Sequence, residues 1–282
     1  MQLLVSVRSA AEVEPALRGG AHIIDAKEPD RGSLGPVTPR TLAAILALVP
    51  SRCPFSVALG DVGNPEGVLA AIESIELPSR SAPTYLKLGF AGVRSPDAVT
   101  GMLAAAVAAL ARKGSDAIVV AVGYADAAQA GSIAPDLIPR CARQGGAGGV
   151  LLDTHAKDGN GLLHWCPPPA LADWVVHAGR EGLLTAVAGA LEPADIAAVA
   201  AARPDVVGVR GAACEGGRQG RISSARVRDL RHRLDLSGLS FPAEIPAARP
   251  GVGETRDRAA DGPGDIGLSH SKPMIRGASQ GA

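Results

Sequence analysis

The chain has 282 residues, 28 of them basic and 28 acidic, so no net charge marks it as a binder of nucleic acid or of an anionic membrane. Hydrophobic residues make up 46% but aromatic ones only 2%, which leaves Ala, Val, Leu and Ile to fill any core. The four cysteines, Cys53, Cys141, Cys166 and Cys214, form no C-x-x-C pair; they suggest neither a disulfide framework nor a zinc site, and point to a reducing cytoplasm.

The chain opens on Gln2-Leu3-Leu4-Val5-Ser6-Val7, too short for a membrane span and without a signal peptide's basic start, so it reads as a strand. Further β-branched runs begin near Ile23, Phe55, Tyr85, Ile118, Val150, Leu183 and Val206, about thirty residues apart, as repeated strand–helix units require. Between them, residues 10–17, 39–49, 65–75, 96–112, 135–143, 169–177, 193–201 and 223–234 carry apolar side chains at helical spacing. Six of these segments begin with proline, which loses nothing at the first helical turn. Eight right-handed parallel units close into a (β/α)₈ TIM barrel, a single domain over residues 1–236. Residues 237–282 are rich in Pro, Gly, Arg, Asp and Ser without apolar period and are expected to form a disordered tail.

Barrel enzymes draw their reacting groups from the C-terminal ends of different strands. Here the second run ends Asp25-Ala26-Lys27, and residues two apart on a strand share a face, so both side chains should meet the lumen. The third run ends at Asp61, the fourth carries Lys87, the fifth ends at Tyr124 and Asp126, and the sixth supplies Asp153 and Lys157. The last two are glycine-rich: Gly189 closes the seventh, and Arg210-Gly211-Ala212 follows the eighth, where barrels commonly hold phosphate. Glycine lets backbone N–H groups approach an anion, and Arg210 could clamp it. Each feature has a plainer reading. A lone Asp-x-Lys is more often an ion pair, a glycine-rich turn is as often an ordinary loop, and Tyr124 by itself reads as packing. Their occurrence on successive strands is what favours catalysis.

Several stretches resemble the (5-formylfuran-3-yl)methyl phosphate synthase family. They include Asp25-Ala26-Lys27-Glu28-Pro29 with Gly32-Ser33-Leu34-Gly35, Leu59-Gly60-Asp61-Val62, Tyr85-Leu86-Lys87-Leu88-Gly89, Gly123-Tyr124-Ala125-Asp126, Leu151-Leu152-Asp153-Thr154 with Lys157-Asp158-Gly159, and Gly208-Val209-Arg210-Gly211-Ala212-Ala213-Cys214. The likeness is collinear over about residues 2–234. It implies a TIM-barrel carbon–oxygen lyase acting on phosphates, which condenses two molecules of glyceraldehyde 3-phosphate into a furan aldehyde phosphate for methanofuran biosynthesis. It also implies no metal or organic cofactor, and functional roles for Lys27, Lys87, Lys157, Asp25 and Asp153. His155 stands where the family has a small residue, and the tail has no counterpart.

Joining two aldehydes requires one to become a carbon nucleophile, and a lysine imine acidifies the adjacent carbon without metal. Lys27 is the expected Schiff-base lysine, with burial and neighbouring lysines favouring its neutral amine. Asp25 would shuttle protons, while Asp153 and Lys157 would serve dehydration and phosphate loss. Asp61, Tyr124, Gly189, Arg210, Gly211 and Ala212 are the expected substrate and phosphate contacts. The partner is a small phosphorylated aldehyde, not nucleic acid or a membrane, and a homo-oligomer is compatible with the sequence. Two alternatives stay open: a phosphate-binding barrel isomerase or synthase using lysine acid–base chemistry without an imine, and a barrel that only binds a sugar phosphate.

Overall fold

A computed structural model describes residues 1–156 and 159–237. Eight parallel strands pair in sequence order, β1 (Gln2–Val7), β2 (Ile23–Ala26), β3 (Phe55–Asp61), β4 (Thr84–Gly89), β5 (Ile118–Tyr124), β6 (Gly149–Asp153), β7 (Leu184–Val187) and β8 (Val206–Val209). β8 returns to pair with β1, Leu4 opposite Gly208 and Val5 opposite Val209, so the sheet closes into a TIM barrel. All eight strand starts expected from the apolar runs are therefore present. Lys157 and residues 238–282, with the expected tail, lie outside the described residues.

The helices are α1 (Val13–Arg18), α2 (Pro39–Leu46), α3 (Pro65–Glu73), α4 (Pro96–Arg112), α5 (Ala127–Ala130), α6 (Ile138–Gln144), α7 (Leu162–Trp165), α8 (Pro168–Arg180), α9 (Ile196–Ala201) and α10 (Ser224–Leu236). Three of them start alike: Thr38, Asn64 and Ser95 accept the N–H of the residue three further on, and proline follows each cap. The segment expected as one helix from Pro135 is a 3₁₀ turn, Pro135–Leu137, running into α6, and the one expected from Pro193 begins at Ile196. The short α5 and α7, and a hairpin of β9 (Cys214–Glu215) with β10 (Arg221–Ile222), were not expected; each is too brief to show a period.

The principal apolar core lies between barrel and helices. Outward-facing Leu3, Val5 and Val7 of β1 join it with Leu86 and Leu88 of β4, and α4 adds Val99, Met102, Leu103 and Ala106, all essentially closed to solvent. Each such Leu or Val contributes about 1.5–3 kcal/mol of burial. With so few aromatics, close approach replaces bulk. A Cβ on Gly89 would lie 2.3 Å from Asp61 Oδ1 and 2.5 Å from the Tyr124 hydroxyl. His22 sits at the opposite, N-terminal end of the strands, where its Nδ1 accepts the Leu3 N–H. Burial pushes its pKa down to about 4, so it stays neutral and structural. The four cysteines are free thiols. Among the described residues no helix is long and apolar enough to cross a membrane.

Candidate active site

The lumen side of the strands carries the polar residues. Ladder register sets Ser6 beside Asp25, Asp25 beside Ser56, and Ser56 beside Tyr85. Ala58, one step up β3, lies beside Lys87. Strand alternation therefore puts Lys27 and Lys87 above the layer holding Asp25. The barrel encloses a cavity of about 300 Å³ whose wall includes Lys27, Lys87, Asp153, Ser6, Ser56 and Tyr85.

Asp25 sits immediately behind that wall and is fully buried. Lys87 Nζ lies 2.7 Å from Asp25 Oδ1, and Ser6 Oγ donates to Asp25 Oδ2 at 2.7 Å. Burial would push the Asp25 carboxyl up. The charges of Lys87 and then Lys27, with the hydrogen bonds from Lys87 and Ser6, outweigh burial and hold it below its usual range. Asp25 is thus a carboxylate with fixed donors. Lys27 is 8% exposed, and its backbone N–H is tied to Val7 O. Asp153 is also buried, with its Oδ1 accepting the Thr154 N–H at 2.7 Å.

Four of the expected catalytic residues, Lys27, Asp25, Lys87 and Asp153, come together; Lys157 lies outside the described residues. Gly189, Gly211 and Ala212 line the same cavity at the ends of β7 and β8. Just after Gly189, Ala190 holds φ of +47°, a left-handed conformation that costs a side-chain-bearing residue on the order of 1 kcal/mol and marks this rim as strained.

Two expectations change. Arg210 does not offer a clamp to the cavity. Its Nε donates to Arg218 O, Nη1 to Ser6 O and Glu12 Oε2, and Nη2 to Glu12 Oε1 and Gly220 O, at 2.9–3.3 Å. A guanidinium has five N–H groups, so none remains for an anion. Asp61 and Tyr124 bond to each other, the phenol donating to Asp61 Oδ1 at 2.6 Å, and neither lines the cavity. Burial first, then the Asp61 charge, raises the Tyr124 pKa well above 10, so it remains a phenol. The His155 ring packs edge-on against it, with centroids 5.2 Å apart.

Other residues of the site were not among the expected catalytic or binding residues. Ser6 could have been, as a polar residue near the end of an apolar strand. Ser56 Oγ and the Tyr85 hydroxyl lie buried on the cavity wall with no hydrogen-bond partner among the described residues. Asp126, noted at the fifth strand end, is buried and accepts the backbone N–H groups of His155 and Ala156, one on each oxygen, at 2.7 Å. Arg218, which lines the cavity, showed no signal because it lies in a glycine-rich turn without period.

Residues 3–231 match the model of the 4-HFC-P synthase family. The chain belongs to that family. Similar proteins include the (5-formylfuran-3-yl)methyl phosphate synthase of Methanothermobacter thermautotrophicus, 38% identical over 239 residues that span 83% of this chain and 99% of that protein. The synthase of the same name from Methanocaldococcus jannaschii is 37% identical over 235 residues, 82% of this chain and 98% of the other. Membership supports an enzyme of synthase type. Among solved structures, 3-hexulose-6-phosphate synthase from Salmonella typhimurium superposes with a TM-score of 0.56 at 16% identity, over 84% of this chain and all of that one. Phosphoribosyl anthranilate isomerase from Thermus thermophilus does so with 0.54 at 17%, over 84% and 99%. At such identities the likeness is one of fold alone.

Proposed function

We propose that this synthase is a lyase that condenses two molecules of glyceraldehyde 3-phosphate into (5-formylfuran-3-yl)methyl phosphate, releasing phosphate and water, through an imine on Lys27. The observation that carries this reading is the 2.7 Å contact of Lys87 with Asp25 in the lumen that also holds Lys27. Lys87 is pinned as the partner of a carboxylate. Lys27, with its side chain on the cavity wall, is the amine assigned to attack an aldehyde carbon. The imine forms with loss of water and acidifies the neighbouring C–H. Asp25, held by Ser6 and Lys87 behind the wall, takes that proton by way of Lys87, which passes one of its own protons to the carboxylate as it accepts the substrate's. The resulting carbon nucleophile adds to the aldehyde of the second molecule, and the Lys87 ammonium faces the alkoxide that develops there. Asp153 and Lys157 serve the later eliminations that expel phosphate and water, and closure of the ring by a hydroxyl onto the imine carbon breaks its bond to nitrogen and frees the Lys27 amine.

The names of the relatives support the product, and the cavity rim of Gly189, Gly211 and Ala212 suits a phosphorylated ligand. The product would feed assembly of a methanofuran-type one-carbon carrier in the cytoplasm. Incubation of the purified protein with glyceraldehyde 3-phosphate tests the reading: a furan-aldehyde absorbance should rise together with free phosphate. Absence of both would overturn it.

A further inference from the structure

We propose that Arg218, not Arg210, is the cation that engages the substrate's phosphoryl group, and that it does so from a strap laid across the barrel mouth. The proposal rests on the phosphorylated-substrate reading above and names the residue that recognises a phosphomonoester.

The strap is built from the β9–β10 hairpin. Its turn runs through Gly216 and Gly217, at φ of +85° and +72°, to Gly220, where a Cβ would fall 1.8 Å from Glu215 O. Only glycines close such a turn, and Arg218 is the side chain it carries into the cavity wall. Arg210 is the post beneath it: its Nε and Nη2 donate to Arg218 O and Gly220 O at 2.9 and 3.2 Å. Its charge is met by buried Glu12, with Nη1 2.9 Å from Glu12 Oε2. The arginine next to the phosphate-type glycines is thus structural, and it fixes the backbone of the second arginine.

Arg218 reaches across the mouth, where its Nη2 donates to Gly32 O at 2.7 Å in the loop that follows Lys27. Among the described residues it forms no salt bridge, and its remaining N–H groups have no described acceptor. Burial pushes its pKa down, with the Asp153 charge the strongest opposing influence, so the guanidinium feels the reaction centre. A half-buried guanidinium without a carboxylate in contact is incompletely compensated, and a phosphate would supply what is missing, with bidentate geometry. The placement suits that role. A Cβ on Gly211 would lie 3.7 Å from the Arg218 backbone N, so Arg218 stands directly over the Gly211–Ala213 turn. One guanidinium can then grip a phosphate at the β8 rim and tie that rim to the loop bearing Lys27.

Calorimetric titration of the full chain with inorganic phosphate, for wild type, Arg218→Gln and Arg218→Lys, tests this. Steady-state kinetics with glyceraldehyde 3-phosphate accompany it. Arg218→Gln should weaken phosphate at least about tenfold, the scale of a charge-assisted hydrogen bond, and raise KM more than it lowers kcat. Arg218→Lys should fall between, since an ammonium keeps the charge but not the fork. Phosphate bound within twofold of wild type by a folded Arg218→Gln, or no phosphate binding by wild type, overturns the proposal. A wild type that forms the furan while Arg218→Gln keeps its KM sinks Arg218 alone. A wild type that forms none, yet whose phosphate binding falls in Arg218→Gln, sinks the proposed reaction and leaves Arg218 standing.

Discussion

Lys87 and Asp25 meet at 2.7 Å inside the barrel, with side-chain exposures of 5% and 0%. An ion pair this deep is costly to break, since removing one partner leaves the other charged and uncompensated. Lys87→Met should therefore lose about 3–5 kcal/mol of stability in urea denaturation. Adding Asp25→Asn should restore part of that loss without restoring activity, because the pair is coupled. Equal, additive losses in the double variant would show that the two residues do not depend on one another.

The same pair sets an acid limit. The folded Asp25 carboxyl lies below its unfolded value of about 3.9, so its contribution is complete above that pH and is lost as pH falls through the folded value. Wild type should lose stability relative to Asp25→Asn as pH drops from about 5 toward 2. A stability difference that does not change over that window would contradict the assigned electrostatics.

Tyr85 and Tyr124 are the chain's two tyrosines, and both are buried. Burial, with the Asp205 charge second, pushes Tyr85 up to about 12, while burial and Asp61 hold Tyr124 well above 10. The folded protein should show almost no phenolate absorbance at pH 10, whereas the urea-unfolded chain should be about half ionised there. Both phenols support the fold below about pH 10 and cease to do so as pH rises toward their folded values. Ionisation of one full tyrosine in the folded state by pH 10 would contradict this.

Asp126 tests whether the end of β6 needs an anchor. Its two oxygens each hold one backbone N–H, of His155 and Ala156. Asp126→Ala should cost roughly 2–4 kcal/mol, the loss of two charge-assisted bonds, and lower kcat through the misplaced Asp153 loop. Asp126→Asn keeps one acceptor oxygen and should recover part of both. Unchanged thermal stability in Asp126→Ala would show the contacts to be incidental.

The barrel was legible because its signals are local. β-Branched runs end in polar residues, and Thr38, Asn64 and Ser95 each stand before a proline that opens a helix. Asp25 and Lys27 were readable for the same reason, since a period of two places them on one face. Arg210 was not. Its partners Ser6 and Glu12 lie 204 and 198 residues away and Arg218 lies on an aperiodic turn, so no local pattern shows that its donors are taken. Asp61 and Tyr124, 63 residues apart, likewise looked like two separate strand-end contacts until closure paired them.

The central claim is the imine on Lys27, and borohydride reduction in the presence of glyceraldehyde 3-phosphate, followed by peptide mass mapping, tests it most directly. The account predicts a reduced substrate adduct on the peptide bearing Lys27, absent from Lys27→Ala and Lys27→Arg together with activity, because a guanidinium cannot act as the amine nucleophile. An adduct on Lys87 instead, or furan formation with no adduct at all, would contradict it.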